Sequence, residues 1–330
     1  MFKGHILVVG AGGIGRKHIP AFLKAGWRVS ACDVDPERLG RARDAFALEG
    51  TFGDFWSVDL GDFDAVLIST PAPWHVPMAT RCAEEGVPFL VEKPLSVSLE
   101  GVERLLRLVE GKPVPCAVGF TRRSVPSFRR FGELLKGGVV GEVKLGLFNI
   151  SQYYPKYRPD YNRIYFARKD MGGGCILDVV SHIVDLAQWY LGKPEDGGAL
   201  YGKLSFGPEV ETEDTAIVFG KFGGKLASIV SNLFQKPYRV DIEMVGEEGN
   251  IRYLAEDRDT SRILVARDDS GTWEEVERFQ GELQDFYLRQ AEEFGKLLEG
   301  KPTPLTTLRE AMDNLRFCLE VKGADSFHQQ

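Results

Sequence analysis

Ile6-Leu7-Val8-Val9-Gly10-Ala11-Gly12-Gly13-Ile14-Gly15 is the stretch that decides the fold. Four apolar residues in a row are the pattern of a short strand covered on both faces, as in a parallel sheet. The glycines that follow free the backbone for a tight turn, and the pattern then becomes helical to about Ala25, where Gly26 is the expected stop. Trp27 to Cys32 reads as a second strand ending at Asp33. Asp35 is placed as the N-cap of a further helix, with Pro36 at its first position and its end near Leu48.

Strand, glycine turn, helix, strand and acid in this order describe a dinucleotide-binding unit. Gly10 permits the turn, Gly12 lets the backbone approach a pyrophosphate, and Gly15 lets helix and strand pack closely. The helix N-terminus favours the phosphate charge. Asp33 is placed to accept hydrogen bonds from the adenosine ribose hydroxyls and to repel a 2′-phosphate, so NAD is expected ahead of NADP. Arg38 leaves NADP open.

Strands are expected near Thr51-Phe52, at Ala65–Ser69, at Pro88–Glu92 and at Val114–Gly119. Helices are expected at Pro77–Glu85 and after Ser98, read as a cap. This alternation implies a parallel sheet, whose ligands bind at the carboxyl ends of the strands. Thr70-Pro71, Glu92-Lys93-Pro94 and Phe120-Thr121 fall at those ends with Gly10–Gly15 and Asp33. Pro94 is a candidate for a cis bond, and His18 is expected to pack or to sit on the helix surface.

A second stretch carries chemistry. Gly172-Gly173-Gly174 runs into Cys175-Ile176-Leu177-Asp178-Val179-Val180-Ser181-His182. In an α-helix Asp178 and His182 share a face, with Asp185 one turn on. The pair suits proton handling; alone it reads equally as a hinge followed by an amphipathic helix.

The 330 residues carry a formal charge of −7, which argues against a nucleic-acid partner. Five scattered cysteines without a C-x-x-C pair fit reduced thiols and exclude a disulfide scaffold or zinc ribbon. Cys175 reads as a buried structural thiol. No metal site, signal peptide or membrane span is expected, and the location expected is the cytoplasm.

Glu92-Lys93-Pro94, the opening glycines, Thr70-Pro71-Ala72-Pro73-Trp74-His75, Phe120-Thr121-Arg122-Arg123 and the Gly-Gly-Gly…Asp…His stretch together resemble the glucose–fructose oxidoreductase / inositol dehydrogenase / rhizopine-catabolism family of NAD(P)-dependent oxidoreductases. The resemblance covers nearly the whole chain and departs from the family's habits at Ala72, Thr121 and Ser124. It implies an N-terminal Rossmann domain with a doubly wound parallel sheet. A C-terminal α/β domain with a large, predominantly antiparallel open sheet would follow, divided at residues 1–121 and 122–330.

It implies catalysis by Lys93, Asp178 and His182. The cofactor residues expected are Gly10, Gly12, Gly13, Ile14, Gly15, Asp33, Thr70, Pro71, His75, Glu92, Lys93 and Arg123. The substrate residues expected are Lys93, Asp178, His182 and, from a polar, aromatic loop at 153–169, Tyr153, Lys156, Arg158, Tyr161 and Arg163. The null alternative for that loop is a subunit contact or a packed crossover. Gly172 to Gly174 would let the loop close near bound cofactor.

The reaction implied is hydride transfer between NAD and a secondary alcohol of a sugar, polyol or acidic sugar. A glycoside hydrolase using NAD for transient oxidation and a non-catalytic NAD-binding regulator are the alternatives. A homo-oligomer, dimer or tetramer, formed through the outer face of the second sheet, is also implied. Six strands are expected between Leu200 and Ala266, with hairpin turns at Gly223-Gly224 and Glu247–Asn250. Helices at Glu282–Leu298 and Thr307–Lys322 close the chain, the last opened by the capping box Thr307-x-x-Glu310.

Overall fold

The computed structural model describes residues 4–323. The chain divides into two compact units. One runs to Ser124 and adds Asp285–Met312; the other is Val125–Gln284 with the residues from Asp313 on. Residues 285–312 therefore go with the first unit, beside a linear division at 121/122 that allows a C-terminal helix to pack back on the first domain.

In the first unit β1 (His5–Val9), α1 (Gly15–Lys24), β2 (Arg28–Cys32), α2 (Pro36–Ala45) and β3 (Thr51–Phe52) follow the expected order. They continue with β4 (Ala65–Ile68), α3 (His75–Glu85), β5 (Phe89–Val91), α4 (Val102–Gly111) and β6 (Cys116–Val118). The six strands pair in parallel in the order β3-β2-β1-β4-β5-β6, so the order reverses between β1 and β4. A doubly wound sheet of this kind opens a ligand crevice at such a reversal.

Asp35 caps α2 as expected, accepting the N–H groups of Glu37 and Arg38. Two local expectations fail. Helix α2 ends three residues early because Phe46 turns extended. Ser98 does not cap α4: its hydroxyl accepts the Glu100 N–H in a turn, and the helix opens at Val102 behind Gly101, at φ +73°.

The second unit begins with α5 (Pro126–Lys136), β7 (Val143–Tyr153), the single turn α6 (Tyr154–Tyr157) and α7 (Ser181–Leu191). Then come β8 (Pro194–Gly202), β9 (Thr215–Phe222), β10 (Lys225–Asn232) and β11 (Phe234–Gly246). The sheet closes with β12 (Gly249–Ala255), β13 (Thr260–Ala266) and β14 (Glu274–Gln280). The order is β14-β13-β12-β11-β7-β10-β9-β8, antiparallel except for β7 against β10.

One face of this sheet is apolar and covered. Phe148, Ile242, Met244, Ile229 and Val218 are buried there, and α5 contributes Phe128, stacked 4.6 Å from Tyr253. The other face leaves Leu147, Leu200, Ile217, Phe219 and Leu226 exposed, in cross-strand register through Ser228 and Val230.

Helix α8 (Phe286–Leu298) belongs to the first unit because Phe294 packs against Phe22 and Trp27 at the root of α1 and β2. Residue Thr306 then bridges to Val118 at the sheet edge. Helix α9 (Leu308–Gly323) opens on the expected capping box: Glu310 accepts the Thr307 N–H at 2.8 Å, and the Thr307 hydroxyl accepts the Glu310 N–H at 3.2 Å. Among the described residues no helix is long and apolar enough to cross a membrane.

Candidate active site

In the first unit the expected residues gather at the carboxyl ends of β1, β2, β4 and β5. Gly10 sits at φ +93°, where a side chain would be strained and a Cβ would strike the Ser69 carbonyl at 2.6 Å. A Cβ on Gly15 would lie 1.8 Å from the Gly10 oxygen, so α1 packs on the turn only without one. Ile14 stands at the N-cap of α1 without a side-chain cap, and no acid occupies the first turn. Arg16 and Lys17 follow instead. Among the described residues no side chain caps α1 and its first turn carries no acid, which fits a diphosphate bound at the positive end of the helix dipole.

Asp33 is buried, and its oxygens accept the N–H groups of Ala11 (2.8 Å) and Asp35 (2.9 Å). Each carboxylate oxygen keeps a further lone pair for a ribose hydroxyl. The Arg38 guanidinium lies 3.9 Å from Asp33 and 3.9 Å from where a Gly12 Cβ would stand, so it borders the same turn. These residues fit the adenosine diphosphate half of NAD, with Arg38 as the one nearby cation suited to a 2′-phosphate.

The Glu92-Lys93-Pro94 loop follows β5. Glu92 is buried and bonded to the His18 ring at 2.6 Å, and its other oxygen accepts the Lys93 N–H at 3.2 Å. The Lys93–Pro94 peptide is cis, and Lys93 is partly exposed. His75 is buried with its two ring nitrogens each 2.8 Å from a carbonyl, of Pro94 and of Thr70. Burial lowers its pKa. Pro71 is exposed at the start of a short turn. Arg123 is buried and donates to Glu310 at 2.8 Å. Glu92, His75 and Arg123, expected at the cofactor, are thus all engaged with other parts of their own unit.

In the second unit, Ile176–Val180 is a π-helical turn, not the expected α-helix: the Ser181 N–H reaches back five residues to the Ile176 carbonyl. Asp178 is aimed at two phenols, accepting from Tyr154 at 2.9 Å and Tyr165 at 2.8 Å. Burial, and then the Asp178 charge, push both phenols well above their ordinary pKa, so they stay protonated as donors. His182, in the first turn of α7, is partly exposed, whereas Asp185 is fully buried. π turns recur at functional sites.

Three side chains support the turn. Glu213, buried, accepts the Ile176 N–H at 3.0 Å and pairs with Lys322 at 3.1 Å. The Ser181 hydroxyl donates to the Leu177 carbonyl, and Asn314 donates to that of Ser181. The three glycines serve the same packing. A Cβ on Gly173 would strike the Phe166 carbonyl at 2.2 Å, and one on Gly174 would strike the Glu213 carboxylate at 2.5 Å. Close approach within the unit accounts for them, so loop closure on a cofactor is not needed to explain the run. Cys175 is buried, as expected.

The 153–169 loop is packed onto its own unit. Tyr153 lies beneath Lys236 (3.9 Å) and Tyr157 beneath Arg258 (3.2 Å), while Tyr161 packs on Phe206 (4.5 Å). Lys156 and Arg163 are exposed. Burial raises the pKa of Tyr154 and Tyr165 against a smaller opposing pull from the Arg158 charge, so of the loop cations Arg158 bears on the Asp178 cluster. Tyr154, Tyr165, Glu213, Ser181 and Asn314 were missed by sequence reasoning, because nothing in their local pattern marks a contact made across 13 to 133 positions.

Comparison with known proteins agrees with both halves. The sequence model described as "Oxidoreductase family, NAD-binding Rossmann fold" matches residues 5–120, and "GFO/IDH/MocA C-terminal domain" matches residues 128–252. The scyllo-inositol 2-dehydrogenase (NAD(+)) of Bacillus subtilis (strain 168) is 28% identical over 269 residues, 80% of this chain and 75% of its own. The inositol 2-dehydrogenase of Rhizobium meliloti (strain 1021) is 29% identical over 310 residues, 88% of this chain and 86% of its own. The WlbA dehydrogenase of Bordetella pertussis, solved with NADH and UDP-GlcNAcA, shares the fold with a TM-score of 0.80 at 23% identity, covering 97% of this chain and 96% of that one. A chain whose two halves match the two domain models in order, over an NAD-type glycine turn and an Asp178/His182 turn, belongs to the GFO/IDH/MocA family of oxidoreductases.

Proposed function

We propose that the protein is an NAD-dependent dehydrogenase that oxidises a secondary alcohol of a sugar, polyol or acidic sugar derivative, and reduces the matching ketone in reverse. The observation that carries this reading is the aiming of Asp178 by two protonated phenols on the π turn that leads into His182. Bound NAD supplies the hydride acceptor. His182 takes the hydroxyl proton as the carbinol hydrogen departs with its electron pair, leaving a carbonyl. Asp178, held ionised-side toward Tyr154 and Tyr165, orients the substrate hydroxyls and stabilises a charged His182. Lys93 donates to the reacting oxygen and steadies its developing charge. The relatives that are inositol dehydrogenases support the substrate class.

The outer face of the second sheet, with Leu147, Ile217, Phe219 and Leu226, is the surface through which copies of the chain associate in this reading. Five cysteines without a disulfide fit a reducing compartment, the cytoplasm.

A panel of polyols, sugars and acidic sugars with NAD and NADP, read at the absorbance of the reduced cofactor, tests the activity. Reduction of NAD is expected with at least one cyclic polyol or sugar, and Lys93→Ala and His182→Ala are expected to abolish it while NAD still binds. Near-normal turnover in both variants refutes the assigned roles. Glycoside cleavage without net NADH, or tight NAD binding without turnover across the panel, refutes the dehydrogenase reading itself.

A further inference from the structure

Lys93 is the proposed electrophilic group of the first unit, yet the residues on either side of it are spent on buried imidazoles. On one side Glu92 binds His18, which is fully buried on α1 one turn beyond the glycines and lies edge-on to Tyr287 at 4.7 Å. The same carboxylate accepts the Lys93 N–H. A Cβ on Gly119 would press on Glu92 at 3.1 Å, so the neighbouring strand end leaves it no other place. On the other side the Pro94 carbonyl faces His75 Nδ1, while His75 Nε2 faces the Thr70 carbonyl. Buried groups in such a network keep one geometry only while every member is satisfied.

We propose that His18–Glu92 and His75 are positioning residues that fix the backbone on both sides of Lys93, and so aim its amine, rather than contacts to the cofactor. The inference rests on the reading of Lys93 given above. It also links the helix that meets the diphosphate to the lysine loop, because His18 belongs to α1 and Glu92 to the loop. Aiming costs nothing in cofactor affinity when it fails, but it lowers the rate, because only correctly placed donors stabilise the transition state.

Three variants separate the two sides. Glu92→Gln keeps the shape and removes the charge. An asparagine amide nitrogen mimics histidine Nδ1 and a glutamine amide nitrogen mimics Nε2, so His75→Asn keeps the bond to Pro94 and His75→Gln keeps the one to Thr70. With a substrate from the panel, Glu92→Gln and His75→Gln are expected to lower kcat at least tenfold, His75→Asn by less than threefold. The NAD dissociation constant, read by fluorescence titration, is expected to stay within threefold of the unaltered protein in all three.

A second readout needs no turnover. The reductive methylation rate of Lys93, followed by peptide mass mapping, is expected to rise at least threefold in Glu92→Gln and His75→Gln while other lysines keep their rates. Equal kcat in His75→Asn and His75→Gln, a parallel loss of NAD affinity, or unchanged methylation at Lys93 overturns the inference. Normal turnover in Lys93→Ala alone refutes the role of the lysine instead, which separates the two failures.

Discussion

Gly174→Ala is expected to be among the most damaging single-methyl additions to the second unit, and its cost can be built from two parts. Gly174 has φ +98°, a region where an L-residue costs about 1–2 kcal/mol. The new Cβ would also lie 2.5–2.6 Å from all three atoms of the Glu213 carboxyl group, which has to move. Moving it removes a buried, charge-assisted bond to the Ile176 N–H, worth about 1.5–3 kcal/mol, and loosens the pair with Lys322. The sum is about 3–5 kcal/mol, which at roughly 2–4 °C per kcal/mol for a unit of this size lowers Tm by about 10 °C. Gly224→Ala is the control, since Gly224 has φ +81° but nothing within 4 Å of its missing Cβ. It carries the strain alone, about 1–2 kcal/mol, or about 4 °C. In a Glu213→Ala background the obstruction is gone, and Gly174→Ala is expected to fall to the same small value. Thermal melts of the four variants and the parent, followed by intrinsic fluorescence, decide the matter. Equal shifts for Gly174→Ala and Gly224→Ala, or no relief in the Glu213→Ala background, would refute the idea that the glycine exists to make room for Glu213.

Three further outcomes follow from the structure. Asp33→Ser is expected to shift the ratio of kcat/KM values toward NADP by ten- to a hundredfold, about 1.4–2.8 kcal/mol, because it removes the buried carboxylate that would repel a 2′-phosphate and leaves Arg38 paired with Asp35 alone, at 3.2 Å; kinetics with the two cofactors read it. Burial pushes the thiols of Cys32, Cys116 and Cys318 up to about 12 and raises Cys82 and Cys175 further. Folded-state pKa values above the unfolded ones mean that the folded chain holds more protons. The contribution to stability is whole below about pH 8.5 and is lost as pH climbs toward 12, so urea midpoints should fall across that range and Ellman's reagent should react at pH 8 only after unfolding. Light scattering at micromolar concentration is expected to give at least a dimer, and Phe219→Glu with Leu226→Glu to give the monomer mass; a monomer for the unaltered protein refutes the assigned surface.

What was legible in the sequence was what local chemistry decides. The glycine turn, the Asp35-Pro36 opening and the Thr307/Glu310 box are each made by residues within a few positions of one another, and they stand where they were expected. Ser98 shows the limit of that logic, since a hydroxyl that can cap a helix can equally close a turn two residues on, and Gly101 took over the start of α4. Strands β8 and β14 went wrong for another reason. Pro194–Gly202 opens with proline, acids and glycines, and Glu274–Gln280 is largely charged; both lie at sheet edges and bury few residues or none, so no covered face shows as alternation. The support of the candidate site was the least legible part. Asp178 as a carboxylate in a helix was visible, but its two phenols, the Glu213 cap and the Asn314 brace are contacts between distant segments that no spacing encodes.

The π turn at Ile176–Val180 also bears on how this chain should be aligned and redesigned. It amounts to one residue more than an α-helix needs, hidden inside a helix where gaps are rarely placed. A shortened chain lacking Val179 would keep its composition and hydropathy almost unchanged, yet the five-residue bond from Ser181 back to Ile176 would become a four-residue one and the segment could close as an α-helix. His182 would then stand three positions after Asp178 instead of four, and Asp185 six instead of seven, without a single substitution. Counting helical positions across this segment therefore transfers site residues correctly only between chains that carry the same extra residue. In a designed variant, helix length at this point becomes a control on the spacing of Asp178 and His182 that no point mutation offers.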